Sequence, residues 1–231
     1  MAVITISRQY GSGGDAVAER ICELTGYRRF DKLVLTKAAA EAGLSDEEII
    51  DYSEDKHKVQ NLMDRLFGRS RPLAEVRVWK EGPDGVRIAE NLRITEENAL
   101  TLERLAVEMA YREGNIVIIG RGGQVILQDR PGVLHVRIEA PLETRLLRVR
   151  NEPQWVDRSY GRSYEDRRAA QDLIGASDLA SADYLRRFYH VDWNDPALYH
   201  LILNTGKLSV EQAARLIVAT VQELEPITQP A

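Results

Sequence analysis

The spacing of apolar and polar positions changes several times along the chain, and each change marks an element. Ala2-Val3-Ile4-Thr5-Ile6 is a nearly unbroken apolar run, the pattern of a buried first strand. It leads into Ser7-Arg8-Gln9-Tyr10-Gly11-Ser12-Gly13-Gly14, after which Ala16, Val17, Arg20, Ile21 and Leu24 recur at helical spacing and stop at Gly26. Strand, glycine-rich turn and helix follow one another directly. A short strand is predicted over Arg28-Arg29-Phe30-Asp31, then a helix from Lys32 to Ala42. A second helix runs from Ser45 to about Phe67, opened by the capping box of Ser45 and Glu48.

The period then drops to two. Glu75-Val76-Arg77-Val78-Trp79 alternates, Gly82-Pro83-Asp84-Gly85 is turn chemistry and Val86-Arg87-Ile88 alternates again, which predicts a hairpin over residues 73 to 94. Helix returns from Thr95 to about Glu113, and Ile116-Val117-Ile118-Ile119 reads as a strand buried on both faces. Gly120-Arg121-Gly122-Gly123 follows at once. Val133 to Ile138 is a further strand, and Pro141 opens a helix carrying Leu142, Leu146, Leu147 and Val149. Asn151 to about Arg168 is polar and arginine-rich. Beyond it lie a helix from Arg168 to Tyr189, a loop over Asp192-Trp193-Asn194-Asp195-Pro196, a strand at Leu201-Ile202-Leu203, a capped helix from Ser209 to Leu224 and a frayed tail from Pro226. Strands alternating with helices predict an α/β fold with a parallel sheet and right-handed crossovers, whose ligands sit at the carboxyl ends of the strands.

With 44% apolar and 29% charged side chains in 231 residues, a disordered or fibrous chain is excluded. One domain is expected, with an inserted helix-hairpin lobe at about 44–95. The net charge of −5 makes the surface as a whole repel nucleic acid and anionic membranes, so any phosphate binding must be local. A single cysteine, Cys22, allows neither an intramolecular disulfide nor a thiolate metal cage, which points to a reducing compartment. Structure starts at residue 2 where a signal peptide would stand, and no apolar run approaches the ~18 residues of a membrane span. The expected location is the cytoplasm, and the oligomeric state leaves no mark in the sequence. His57, His135, His190 and His200 lack metal-ligand spacing and read as packed or surface residues.

The glycine turn invites comparison with the P-loop signature, Gly, four residues, Gly-Lys, then Ser or Thr. There, bare amides wrap phosphates, the lysine supplies charge and the hydroxyl holds magnesium. Aligned on Gly13, the signature meets Arg8 at its first glycine, Gly14 at the lysine and Asp15 at the hydroxyl residue, so one of four positions survives. The context still suits an anion, because a helix start offers free N–H groups and the positive end of the macrodipole. The competing reading is internal: Ser12 and Asp15 are spaced as a capping box that would seal those amides. A carboxylate at Asp15 repels a triphosphate unless magnesium lies between them, while Arg8 offers a replacement for the lysine charge.

Three segments, Ile4-Thr5-Ile6-Ser7-Arg8-Gln9-Tyr10-Gly11-Ser12-Gly13-Gly14, Phe30-Asp31-Lys32 and Gly120-Arg121-Gly122, resemble the cytidylate kinase-like family of P-loop nucleoside monophosphate kinases. So do Arg186 through Pro196 and Tyr199 through Gly206; the likeness covers residues 1 to 40 and 115 to 222 and is poor over 68 to 95. It implies a three-layer P-loop kinase-like fold with a parallel sheet, a helical lid and an inserted hairpin. It implies transfer of the ATP γ-phosphoryl group to a nucleoside monophosphate such as CMP, or to a similar small acceptor, by positioning and charge stabilisation. In that reading Gly11, Ser12, Gly13, Gly14 and Asp15 hold ATP, Arg8 contributes charge, and Arg121 and Asp31 meet the acceptor. Arg158 and Arg162 belong to an arginine-rich lid over about 151–168, with Arg145 and Arg148 flanking it, and magnesium accompanies ATP. Ser7, Ser12 and Asp15 are its neighbours in sequence. The chain departs from the pattern at Gly14 and Asp15, at Gly122 where the family carries an aspartate that selects the acceptor, and at Asp178-Leu179-Ala180-Ser181 where arginines follow the aspartate. Two alternatives stand beside a kinase: a nucleotide-binding module without catalysis, and an interaction protein with a sealed turn that meets a partner through the hairpin around Trp79.

Overall fold

The computed structural model describes residues 1–30, 74–81, 87–94, 96–151 and 164–224. Their elements are β1 (Val3–Arg8), α1 (Gly14–Thr25), β2 (Arg28–Arg29), β3 (Ala74–Glu81), β4 (Arg87–Ile94), α2 (Glu96–Glu113), β5 (Ile116–Ile119), α3 (Gly123–Ile126), β6 (Val133–Glu139), α4 (Leu142–Arg150), α5 (Tyr164–Tyr189), a 3-10 turn (Pro196–Leu198), β7 (Leu201–Asn204) and α6 (Val210–Gln222). The predicted helices over 32–42 and 45–67, the turn at Gly82 to Gly85 and the tail from Pro226 lie outside the described residues. By internal contact the chain divides into two compact units, Met1–Phe30 with Tyr111–Ala231, and Asp31–Ala110.

The first unit holds a five-stranded sheet in the order β2-β5-β1-β6-β7, parallel throughout. β1 is central: the chain goes from it to the edge strand β2, returns to β5 between the two, and then crosses to β6 and β7 on the other side, which puts the switch point, where ligands bind in such folds, at the carboxyl end of β1. On one face Ile4, Ile6, Val117, Leu134, Val136 and Ile138 pack against Val17 and Ile21 of α1 and Ala213, Ala214 and Ile217 of α6. Helix α6 starts with the predicted cap, Ser209 Oγ accepting from Gln212 N while the Gln212 side chain accepts from Ser209 N. Helix α5 begins at Tyr164 rather than Arg168, and its residues Ala170 and Ile174 pack against Leu146 and Val149 of α4. In the second unit β3 and β4 form the predicted antiparallel hairpin, with Trp79 opposite Ala89. The second strand runs on to Ile94, as far as its partner can pair.

The other face of the sheet carries Thr5, Ser7, His135 and Arg137, because successive strand residues alternate in direction. Most of their polar atoms are engaged sideways, while His135 Nε2 is buried without a hydrogen-bond partner. Thr5 Oγ1 lies 2.7 Å from His135 Nδ1, and His135 stacks on His200 with centroids 5.1 Å apart. Arg137 is 1% exposed and donates to Glu139, to the carbonyl of Trp193 and to Asn194, lying 4.2 Å from the Trp193 ring. Trp193 in turn donates to Ser7 Oγ at 2.7 Å, which anchors the loop predicted over Asp192 to Pro196.

Burial and the neighbouring His200 push the His135 imidazole down from 6.5 to about 4. Between these values the unfolded chain binds a proton that the folded chain refuses. Stability is therefore full above the upper value and is lost as pH falls toward the lower one, by up to about 3 kcal/mol. Urea unfolding at pH 7 and pH 5 should show this slope in the parent protein and a flatter one in His135→Asn; equal slopes would contradict it.

Candidate functional site

The turn after β1 is built from fixed peptide groups. Gln9 N donates to Ile138 O, Tyr10 N to Asp178 Oδ1 at 2.9 Å, and Ser12 N to Gln9 O. Gly11 and Gly13 have φ of 75° and 82°, the left-handed region that glycine enters without cost. A Cβ on Gly11 would also stand 2.9 Å from Val149 Cγ2. Gly13 is the N-cap of α1, and no side chain caps the helix. The capping box expected of Ser12 and Asp15 does not form: Ser12 Oγ is fully buried without a partner, and Asp15 turns toward two arginines. Among the described residues the N–H groups of Gly13, Gly14, Asp15 and Ala16 meet no acceptor, and the first helical bond is Val17 N to Gly13 O at 3.0 Å. Four consecutive amides at the positive end of α1 are thus open to an anion.

Two arginines of α4 hold this turn from below. Arg148 Nη1 donates to Ser12 O at 2.6 Å and to Thr205 Oγ1 at 3.0 Å, Arg148 Nη2 donates to Thr205 O at 2.8 Å, and the Thr205 hydroxyl donates to Ser12 O. In a planar trans peptide the carbonyl and the next N–H point in opposite directions. Tying down the Ser12 carbonyl therefore aims Gly13 N–H away from α4. Arg145 Nη1 donates to Asp178 Oδ2 at 2.6 Å and to Tyr10 O at 3.3 Å, so one buried ion pair grips both ends of Tyr10. Burial lowers the pKa of the Arg148 guanidinium, which stays charged, as arginines do in proteins. Thr205 escapes a search for charged or glycine-rich chemistry; the only sequence signal for it is its place in the Asn204-Thr205-Gly206 segment at the end of β7.

Arg8 and Gly14 share one space. A Cβ on Gly14 would lie 2.6 Å from Arg8 Cβ and 2.9 Å from its Cγ, so the lysine of the P-loop signature has no room while Arg8 crosses the turn. Gly14→Ala is expected to destabilise the protein by up to about 2 kcal/mol, because overpacking of about 1–3 kcal/mol outweighs the roughly 1 kcal/mol that alanine gains over glycine in a helix. The double substitution Arg8→Gly with Gly14→Lys should recover most of that loss in urea unfolding. A Gly14→Ala protein more stable than its parent would contradict this packing.

Beside the turn, β5 ends in Gly120, Arg121 and Gly122, with φ of 67°, 60° and 64°. These are three left-handed residues in succession, a conformation that costs a non-glycine residue roughly 1–2 kcal/mol. Gly120 N donates to Ile6 O at 2.9 Å and Gly123 N to Gly120 O at 3.1 Å, which locks the bend against β1. The Arg121 guanidinium lies 4.9 Å from the Phe30 ring, at the end of the strand beyond. A Cβ on Gly122 would stand 2.8 Å from Tyr189 Cε2, which accounts sterically for the missing aspartate. Helix α3 is not expected from the chain's pattern, since its opening Gly122-Gly123 has the composition of a turn.

The structure thus brings Arg8, Gly11 to Asp15 and Arg121 to the carboxyl ends of the adjacent strands β1 and β5, and draws Arg145 and Arg148 to the glycine turn. Asp31, Arg158 and Arg162 lie outside the described residues, as does His57. Of the sequence neighbours considered for magnesium, Ser7 is engaged by Trp193, Asp15 is paired with arginines, and Ser12 Oγ remains. Among the described residues no group of three or more His, Cys, Asp and Glu side chains gathers to hold a metal, and no helix is long and apolar enough to cross a membrane.

This chain is 25% identical over 226 residues to a cytidylate kinase of Pyrococcus horikoshii, covering 97% of this chain and 91% of the relative. It is 23% identical over 231 residues to one of Methanocella arvoryzae, covering 96% and 98%. An uncharacterised protein of Eubacterium ventriosum has a crystal structure that matches with a TM-score of 0.59 at 18% identity, over 96% of this chain and 99% of that one, a likeness of fold. Residues 3–207, which include the glycine turn, the left-handed bend at Arg121 and the α4 arginines beneath them, match the cytidylate kinase-like family as a whole, and the chain belongs to that family.

Proposed function

We propose that the chain transfers the γ-phosphoryl group of ATP to a nucleoside monophosphate such as CMP, a finer reading than the nucleotide-binding phosphotransferase that family membership supports. An oxygen of the acceptor phosphate attacks the γ-phosphorus, the bond to the bridging oxygen breaks, and ADP leaves with that electron pair. The observation that carries this reading is the run of four bare amides from Gly13 to Ala16, held open by the tied Ser12 carbonyl. They fit the phosphates of ATP, which would lie against Gly11, Ser12, Gly13, Gly14 and Asp15, with Arg8 supplying the charge of the absent lysine. Arg121 would meet the acceptor phosphate and Asp31 its sugar, and Arg158 and Arg162 would close over the transferring group. Magnesium bound with ATP would neutralise charge on the β- and γ-oxygens, with Ser12 Oγ as the loop's contribution and phosphate oxygens and water as the remaining ligands.

The sealed turn of the interaction-protein alternative fails on the missing cap. A module without catalysis gains no support from the comparisons. The test is a coupled assay with ATP, magnesium and a panel of nucleoside monophosphates: diphosphate formation is expected with at least one acceptor. No product from any acceptor, in a preparation that binds ATP, would overturn phosphoryl transfer.

A further inference from the structure

Asp15 is the residue that least suits a phosphate site, and its surroundings give it a use. Its two oxygens are engaged separately: Oδ2 by Arg8 Nε at 3.3 Å and Oδ1 by Arg29 Nη2 at 3.1 Å. Arg8 comes from the end of β1 and Arg29 from the end of β2, so the carboxylate bridges two strand ends across the N-terminus of α1. Arg8 is also fixed at its stem, since its Cβ and Cγ lie over the bare backbone of Gly14. With the stem held by packing and Nε held by Asp15, the plane of the guanidinium is set, which for a flat, forked donor decides what it can bind. The trio carries one net positive charge, next to four open amides and the unpartnered, fully buried Ser12 Oγ.

We propose, building on the phosphotransferase reading, that Asp15 is a positioning residue that holds Arg8 and Arg29 as a two-arginine clamp for the polyphosphate, in place of the single lysine of the P-loop signature. A point charge on a flexible stem needs no partner to aim it. Two guanidiniums on different strands do, and a carboxylate between them aims both. This explains why an acidic residue stands where charge alone forbids it.

Three other roles make opposite predictions. If Asp15 only repelled the ligand, Asp15→Asn would tighten ATP binding. If it only complemented the α1 dipole, the variant would lose stability and leave affinity unchanged. If it held magnesium, affinity would fall only when magnesium is present. The clamp predicts weaker ATP binding, by about tenfold, with and without magnesium, for the loss of one charge-assisted contact.

Titration calorimetry with ATP and with inorganic tripolyphosphate, each in magnesium and in EDTA, tests this on the full chain. Asp15→Asn should weaken both ligands under both conditions, and Asp15→Glu should recover part of the loss. Arg29→Gln should weaken binding by a similar factor, and the double variant Asp15→Asn with Arg29→Gln should lose clearly less than the sum of the two single losses, because the Arg29 share is counted once while the aiming of Arg8 is lost only with Asp15. Tighter or unchanged binding by Asp15→Asn, a loss confined to magnesium, or additive losses in the double variant would each overturn the clamp while leaving the phosphotransferase reading intact. A parent protein that binds neither ATP nor tripolyphosphate would overturn both.

Discussion

Asp178→Ala is expected to lower stability by about 3–5 kcal/mol, the cost of breaking a buried ion pair from one side. The side chains of Arg145 and Asp178 are 10% and 20% exposed, so water screens them little. The substitution removes the Oδ2 partner of Arg145 at 2.6 Å and the Oδ1 acceptor of Tyr10 N at 2.9 Å, leaving a buried guanidinium and a backbone donor without their acceptor. Asp178→Leu combined with Arg145→Met should cost less than Asp178→Ala alone, because both charges leave together. Urea unfolding reads the stability, and a loss under about 1 kcal/mol would show that the pair is effectively solvated. The same variant should bind ATP more weakly, since Tyr10 opens the glycine turn and Arg145 also donates to its carbonyl at 3.3 Å.

Arg121→Gly should separate function from stability. Catalysis is expected to fall by about 10²–10³ in kcat, the scale of one lost charge-stabilising donor. Stability should fall far less than catalysis, because relief of the left-handed backbone at φ 60° offsets part of what is lost with the buried guanidinium and its stacking on Phe30. An arginine is retained in a conformation that favours glycine, between two glycines that share it, and that is what a site requirement for the guanidinium predicts. The measurements are the coupled assay with the best acceptor and urea unfolding of the same preparation. Turnover within threefold of the parent would remove Arg121 from the site; a large stability loss would make its role structural.

The elements that were legible in the chain are those set by local signals. Unbroken apolar runs mark β1 and β5, Gly26 ends α1 with φ 72°, and Ser209 with Gln212 opens α6. Local signals also misled. Ser12 and Asp15 have the spacing of a cap, but the side chains that decide their conformation come from far along the chain: Arg148 and Thr205 take the Ser12 carbonyl, and Arg29 helps take the Asp15 carboxylate. Helix α5 starts at Tyr164, before the predicted Arg168, with Asp166 favouring a helix N-terminus in its first turn, and Arg167 pairs with Glu143 of α4.

The chemistry of the site divides the same way. By itself the sequence determined that a glycine-rich turn joins a buried strand to a helix, that a second glycine-flanked arginine follows another buried strand, and that the lysine of the usual signature is missing. Those are properties of neighbouring residues, governed by periodicity, caps and backbone freedom. Only the tertiary structure decided that the lysine is sterically excluded by Arg8, that Tyr189 fills the space above Gly122, and that the carboxylate at Asp15 lies between two guanidiniums. Each of these depends on groups brought together across strand ends, where burial and short distances turn weak local preferences into one arrangement.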